Sequence, residues 1–217
     1  MNQRFAWTVF DVRSMLPSGW QSEIQDVART YGSKHTLISQ HSTSRESRSD
    51  FELPTGSLGG LALRERLPWL RSLYENEFRV LADQVVREST AIMSDPRFGV
   101  VLNIQSDGDR YENHVDTNPL EGLLYCSSHP EGDGGELVIS NRGDVHSIEE
   151  VDADASVIYP VAGHLVFFDA RFNSHYVRPL RDASHTRIVA AMNYYTPQFP
   201  EEVVRPSDLN RHLTGHD

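Results

Sequence analysis

The chain has 217 residues, 38% hydrophobic and 24% charged. That is enough to bury one substantial core, and the composition excludes disordered, collagenous and membrane-spanning classes. Twenty Lys and Arg against 31 Asp and Glu leave a formal charge of −11, a field that repels phosphate backbones and anionic lipid, so neither nucleic acid nor a membrane is an expected partner.

At the N-terminus, MNQRFAWTVF holds no leader-like apolar run, and the single Cys126 cannot form an internal disulfide. A reducing, cytoplasmic setting is therefore the expectation. Trp20 to Tyr31 reads as a helix with Ser18 as N-cap and Gly32 as C-cap. Residues 39–50 (SQHSTSRESRSD) are Ser-rich with almost no apolar side chains; they read as a mobile loop or a lid over a site. From Leu58 to Ser94 the pattern is helical, with Pro68 opening a longer helix whose stripe includes Leu70, Leu73, Tyr74, Phe78, Leu81, Val85 and Ile92.

Beyond Pro96 short strands take over: Phe98 to Gln105, Leu120 to Ser127, Glu136 to Ser140, Ser156 to Val161, His164 to Asp169, His175 to Leu180 and His185 to Thr196. Turn clusters such as Asp133-Gly134-Gly135 and Asn141-Arg142-Gly143 separate them. Helices followed by many short strands point to an α+β fold with a sandwich or jelly-roll second half. The expected division is an N-terminal helical support region over 1–97, a β core over 98–197 and a polar tail over 198–217, all in one domain.

Tyr111-Glu112-Asn113-His114-Val115-Asp116, followed much later by His175 and then Arg187, carries the chemistry. In a strand, residues i and i+2 project to one side, so His114 and Asp116 could grip one ion. Two imidazoles and a carboxylate occupy one face of an octahedral metal and leave three positions open, which suits non-haem ferrous iron and oxygen chemistry. A His-x-Asp pair alone is weak in a chain with ten histidines; the context strengthens it. After it come LEGLLYC, GDGGELVI, GHLVFFDARFNSHYVRPL and HTRIVAAMNYY, the last with an arginine that opens an apolar run and looks buried. Alternation puts Arg187, Val189, Ala191 and Asn193 on one face of that strand, where the small side chains leave a guanidinium room to point inward.

From these segments, residues 98 to 197 resemble the 2-oxoglutarate and Fe(II)-dependent oxygenases, especially the prolyl-hydroxylase-like branch. The resemblance implies a double-stranded β-helix core of the jelly-roll or cupin-like kind with N-terminal support helices. It implies His114, Asp116 and His175 as Fe(II) ligands, and Arg187, Tyr125 and Asn103 as contacts to 2-oxoglutarate. It also implies molecular oxygen as co-reactant, with succinate and carbon dioxide as co-products of hydroxylating a small molecule such as an amino acid or natural-product intermediate. That substrate is expected beneath the N-terminal helices and the 39–50 loop. Gln105-Ser106-Asp107-Gly108 replaces the Tyr-Pro-Gly of close prolyl-hydroxylase relatives, which weakens a protein-proline substrate, and the carboxylate at position 116 argues against halogenation.

Competing readings are a non-catalytic jelly-roll binding protein and a cupin-type metalloenzyme that does not use 2-oxoglutarate. His129, His146 and His164 lie beside turns or strand starts and read as exposed or capping. Arg171, Arg178 and Arg181 precede Arg187 in a late cluster that could meet a small anion. Oligomeric state is not legible.

Overall fold

In the computed structural model, residues 5–38, 43–46, 52–181 and 185–205 are described. Two antiparallel sheets face one another. The larger contains β1 (Trp7–Asp11), β2 (Ser33–Ile38), β3 (Glu52–Leu58), β4 (Ala91–Ile92), β5 (Val100–Gln105), β7 (Leu120–Tyr125), β10 (His164–Phe168) and β12 (Arg187–Tyr195). Its order is β1-β10-β7-β12-β5-β3-β2, with β4 on the end of β12. The smaller sheet has the order β6-β11-β8-β9, made of β6 (Tyr111–His114), β11 (His175–Val177), β8 (Leu137–Ser140) and β9 (Ala155–Ile158).

The layers follow from side-chain alternation along β12 and β7. Ile188, Ala190, Met192 and Tyr194, with Leu120 and Leu124, face a layer of helices and share one core with Ile24, Leu63, Leu67, Leu70 and Phe78. On the other face Val189, Leu123 and Tyr125 meet Leu137, Ile139, Ile158 and Val177 between the sheets. β7 is buried along its whole length, as a strand covered on both sides must be.

The helices are α1 (Trp20–Tyr31), α2 (Gly60–Arg66), α3 (Pro68–Glu75), α4 (Glu77–Val86), α5 (Ile148–Asp152) and α6 (Glu201–Val204). α1 spans the expected residues, with Gly19 rather than Ser18 as its N-cap. The single helix expected beyond Pro68 is two: the backbone breaks at Asn76, α4 ends at Arg87 in the left-handed region (φ 59°), and Ile92 belongs to β4 rather than to the helical stripe.

The N-terminal region is not only helical support. β1 pairs with β10, and β3 pairs with β5, so residues before 97 extend the large sheet on both sides. Of the Ser-rich segment, only 43–46 are among the described residues, and they are pinned rather than loose. Ser44 bridges His114, the Arg45 amide donates to the Asn113 carbonyl at 2.7 Å, and the Val115 amide donates to the Thr43 carbonyl at 3.0 Å. Glu46 pairs with Arg110 at 2.6 Å and Arg45 with Asp144 at 2.5 Å. The lid reading for the rest of 39–50 lies outside the described residues, as does the tail from 206 onward. The described part of the tail is anchored, since Glu201 accepts the Ser94 amide at 2.7 Å.

The turn before β8 needs its two glycines. Gly134 has φ +81°, and a Cβ there would sit 1.9 Å from the Pro179 carbonyl oxygen. Left-handed backbone and contact with an immovable main chain both oppose a side chain. Gly134→Ala is expected to destabilise the fold by at least about 2 kcal/mol. The check is a lower urea midpoint at unchanged slope.

Candidate functional site

His114, the last residue of β6, lies directly opposite His175, the first of β11, so antiparallel register sets the two rings side by side with centroids 4.2 Å apart. Asp116 lies just past the end of β6, and its amide donates to the Ala170 carbonyl at 2.8 Å. That bond beyond the strand, not strand alternation, brings the carboxylate back between the rings. Asp116 Oδ1 is 3.5 Å from His114 Nε2, and Oδ2 is 3.6 Å from His175 Nε2. All three ligand atoms fall within 4.8 Å of one another. Two donors each about 2.1 Å from one ion stand roughly 3.0 to 3.4 Å apart in octahedral or tetrahedral geometry, so a small inward movement completes a metal site.

The outer ring nitrogens are tethered in matching fashion. His114 Nδ1 lies 2.8 Å from the Glu112 carbonyl and His175 Nδ1 lies 3.0 Å from the Asn173 carbonyl. A carbonyl only accepts, so each Nδ1 carries the proton and each Nε2 turns its lone pair toward Asp116. The two rings differ in proton affinity. Burial, with the neighbouring His114, holds His175 down to about 4. For His114, burial also disfavours the charge, but a proton gained at Nε2 would be donated toward Asp116, and that hydrogen bond with the carboxylate's charge outweighs burial and raises the pKa.

The other end of the same cavity is built around Arg187, which is 2% exposed. Its Nε donates to the Gly135 carbonyl at 2.7 Å and its Nη1 to Gln105 Oε1 at 2.6 Å. Gly135 leaves room for the side chain, since a Cβ there would be 2.9 Å from Arg187 Cδ. Three polar atoms beside this arrangement are buried without a hydrogen-bond partner among the described residues: Arg187 Nη2, the Tyr125 hydroxyl and Gln105 Nε2. Such groups cost about 1–3 kcal/mol each when left bare. Two N–H donors and a hydroxyl clustered at a buried guanidinium fit an anionic acceptor, and the planar fork of arginine suits a carboxylate. Tyr125 also lies under the guanidinium, whose carbon is 5.5 Å from the ring centre.

Asn103 lines the cavity but faces Val189, two pairs along from Arg187, whereas Gln105 stands directly opposite Arg187 and bonds to it. The arginine-side partner is therefore Gln105, which sequence reading passed over in favour of Asn103. The late arginine cluster disperses: Arg171 donates to the Thr117 carbonyl and Arg178 to Asp152. His129 is 3% exposed, not a solvent-facing turn residue.

The cavity measures about 420 Å³, and its walls include Ser33, His35, Thr55, Ser57 and Asn193. The N-terminal helices do not cover it; they pack on the back of the large sheet, and β2 and β3 supply the wall expected from them. Glu121 also faces the cavity. Burial raises its pKa well above the ordinary carboxylate value, the nearby Asp116 charge adds to this, and a 2.8 Å hydrogen bond from Asn118 opposes it.

Residues 99–195 match the model of the 2OG-Fe(II) oxygenase superfamily. No curated protein sequence matches the chain. Among solved structures, an oxidoreductase of the 2OG-Fe(II) oxygenase family from Burkholderia pseudomallei superposes with TM-score 0.62 at 12% identity, over 88% of this chain and 85% of the other. HygX from Streptomyces hygroscopicus, with nickel and 2-oxoglutarate bound, gives 0.60 at 12% identity over 89% and 84%. A Pseudomonas putida prolyl-4-hydroxylase gives 0.51 at 16% identity over 88% and 93%. At these identities the likeness establishes the fold, a double-stranded β-helix.

Proposed function

We propose that this chain, whose residues 99–195 match the 2OG-Fe(II) oxygenase superfamily model, is such an oxygenase, and that His114, Asp116 and His175 hold ferrous iron while Arg187, Tyr125 and Gln105 hold the far carboxylate of 2-oxoglutarate. One observation carries the reading: a His, Asp, His cluster and a bare buried donor set occupy opposite ends of a single cavity. Bound iron and 2-oxoglutarate supply an oxidising centre that couples loss of carbon dioxide and formation of succinate to oxidation of a substrate C–H bond with molecular oxygen. The chain's own residues do the positioning. The carbonyls of Glu112 and Asn173 fix both rings with Nε2 aimed inward, Asp116 supplies the compensating charge, and Arg187 fixes the cosubstrate's orientation.

The substrate is a small molecule rather than a protein segment. The supporting features are a cavity of about 420 Å³, within the range of small-molecule sites, and hydrogen-bonding walls of Ser33, His35, Thr55, Ser57 and Asn193. Such walls favour a hydroxyl- or amine-bearing compound over a lipid. Hydroxylation is the favoured outcome, and the protein acts in the cytoplasm.

An anaerobic titration tests the assignment. Metal-free protein given Fe(II) and then 2-oxoglutarate develops a visible charge-transfer band. Iron binding without the band would favour a cupin-type enzyme independent of 2-oxoglutarate, and absence of iron binding would favour a non-catalytic binding protein.

A further inference from the structure

A second cluster of the same residue types lies beyond the arginine end of the cavity. His129 follows β7, Asp133 opens the Gly134-Gly135 turn, and His185 precedes β12; their ligand atoms also fall within 4.8 Å of one another. Asp133 Oδ2 and His185 Nδ1 are 3.7 Å apart, too far for a hydrogen bond. The distance is close to the roughly 3.4 Å that separates two ligands of one tetrahedral ion held at about 2.1 Å. It also matches the 3.5 and 3.6 Å spacings around Asp116.

His129 points to a ligand independently of this spacing. Its ring is 3% exposed. Nε2 is 3.0 Å from Ser127 Oγ, which also accepts the Ile188 amide at 2.9 Å, while Nδ1 is buried with no hydrogen-bond partner among the described residues. A buried imidazole satisfied on one nitrogen and bare on the other has the arrangement of a metal ligand whose outer nitrogen is tethered.

We propose that His129, Asp133 and His185 form a second divalent-metal site, suited to Zn²⁺ with water in the fourth position, that braces the rim around Arg187. The ion would join three segments that frame the guanidinium: the chain leaving β7, the turn whose Gly135 carbonyl holds Arg187 Nε, and the entry to β12 two residues before Arg187. The carboxylate and half-exposed His185 leave the site open to solvent on one side.

Calorimetric titration of metal-free protein with Zn²⁺ alone tests this. His185 is chosen because it is half exposed, so His185→Ala removes a ligand without opening the core. Wild type is expected to take up two equivalents and His185→Ala one. Asp116→Ala is expected to retain one equivalent, with a zinc-dependent rise in melting temperature, and Asp116→Ala/His185→Ala to lose both. The proposal is overturned if His185→Ala leaves the stoichiometry unchanged in either background, or if Asp116→Ala binds no zinc. Should Asp116→Ala fail to fold, the wild-type and His185→Ala pair decides alone.

Discussion

Asp116→Ala is expected to lower Fe(II) affinity by at least about 100-fold and to abolish 2-oxoglutarate-coupled turnover. Changing only the outer-sphere partners of a metal ligand already costs about 10–100-fold in affinity or activity, and here a charged ligand is removed. Anaerobic equilibrium dialysis reads the affinity; undiminished iron binding, or succinate at the parental rate, would remove Asp116 from the metal centre. The pH dependence follows with a fixed sign. A proton on His114 Nε2 competes with the metal, and the hydrogen bond and charge of Asp116 hold that pKa above its ordinary value despite burial. Iron binding to the parent therefore weakens as pH falls through this raised value. Without Asp116 the raising cause is gone, and whatever binding remains loses its acid limb to lower pH.

Arg187→Ala is expected to raise the 2-oxoglutarate concentration at half-maximal charge-transfer band by about 100-fold while Fe(II) affinity stays within a few-fold. Truncating one partner of a buried, hydrogen-bonded charge pair costs about 2–5 kcal/mol, and about 1.4 kcal/mol is tenfold in affinity. Arg187→Lys should recover part of the loss, since it restores charge but not the fork that uses Nε, Nη1 and Nη2 together. An unchanged half-saturation in both variants would exclude the guanidinium from cosubstrate binding.

The legible parts of the molecule were those where side-chain pattern and structure share a cause. β12 alternates in fact as in sequence, because one face meets helices and the other a cavity. Punctuation by Gly and Asp separated most of the C-terminal strands. β2 and β3 were not legible: SKHTLI and ELPTGSL lack an apolar period, and β3 contains Pro54 and Gly56, so partners in space rather than local preference make them strands. Asp116 was found by its spacing from His114, although the strand stops before it and a main-chain bond to Ala170 does the positioning. The tethers on both Nδ1 atoms use backbone carbonyls, which no side-chain pattern encodes. Gln105 became the arginine's partner only through the register of β5 against β12.

The clasp of residues 43–46 on β6 has a consequence for solubility. β6 is the outermost strand of the four-stranded sheet, and a bare outer strand offers unpaired amides and carbonyls to any passing copy of the chain. Thr43 and Arg45 take up the Val115 amide and the Asn113 carbonyl, while Glu46 accepts the Asn113 amide at 2.8 Å. The segment thereby denies this rim to strand addition from another molecule, and the strand that carries His114 is shielded from cross-β assembly by the same contacts that hold it in place.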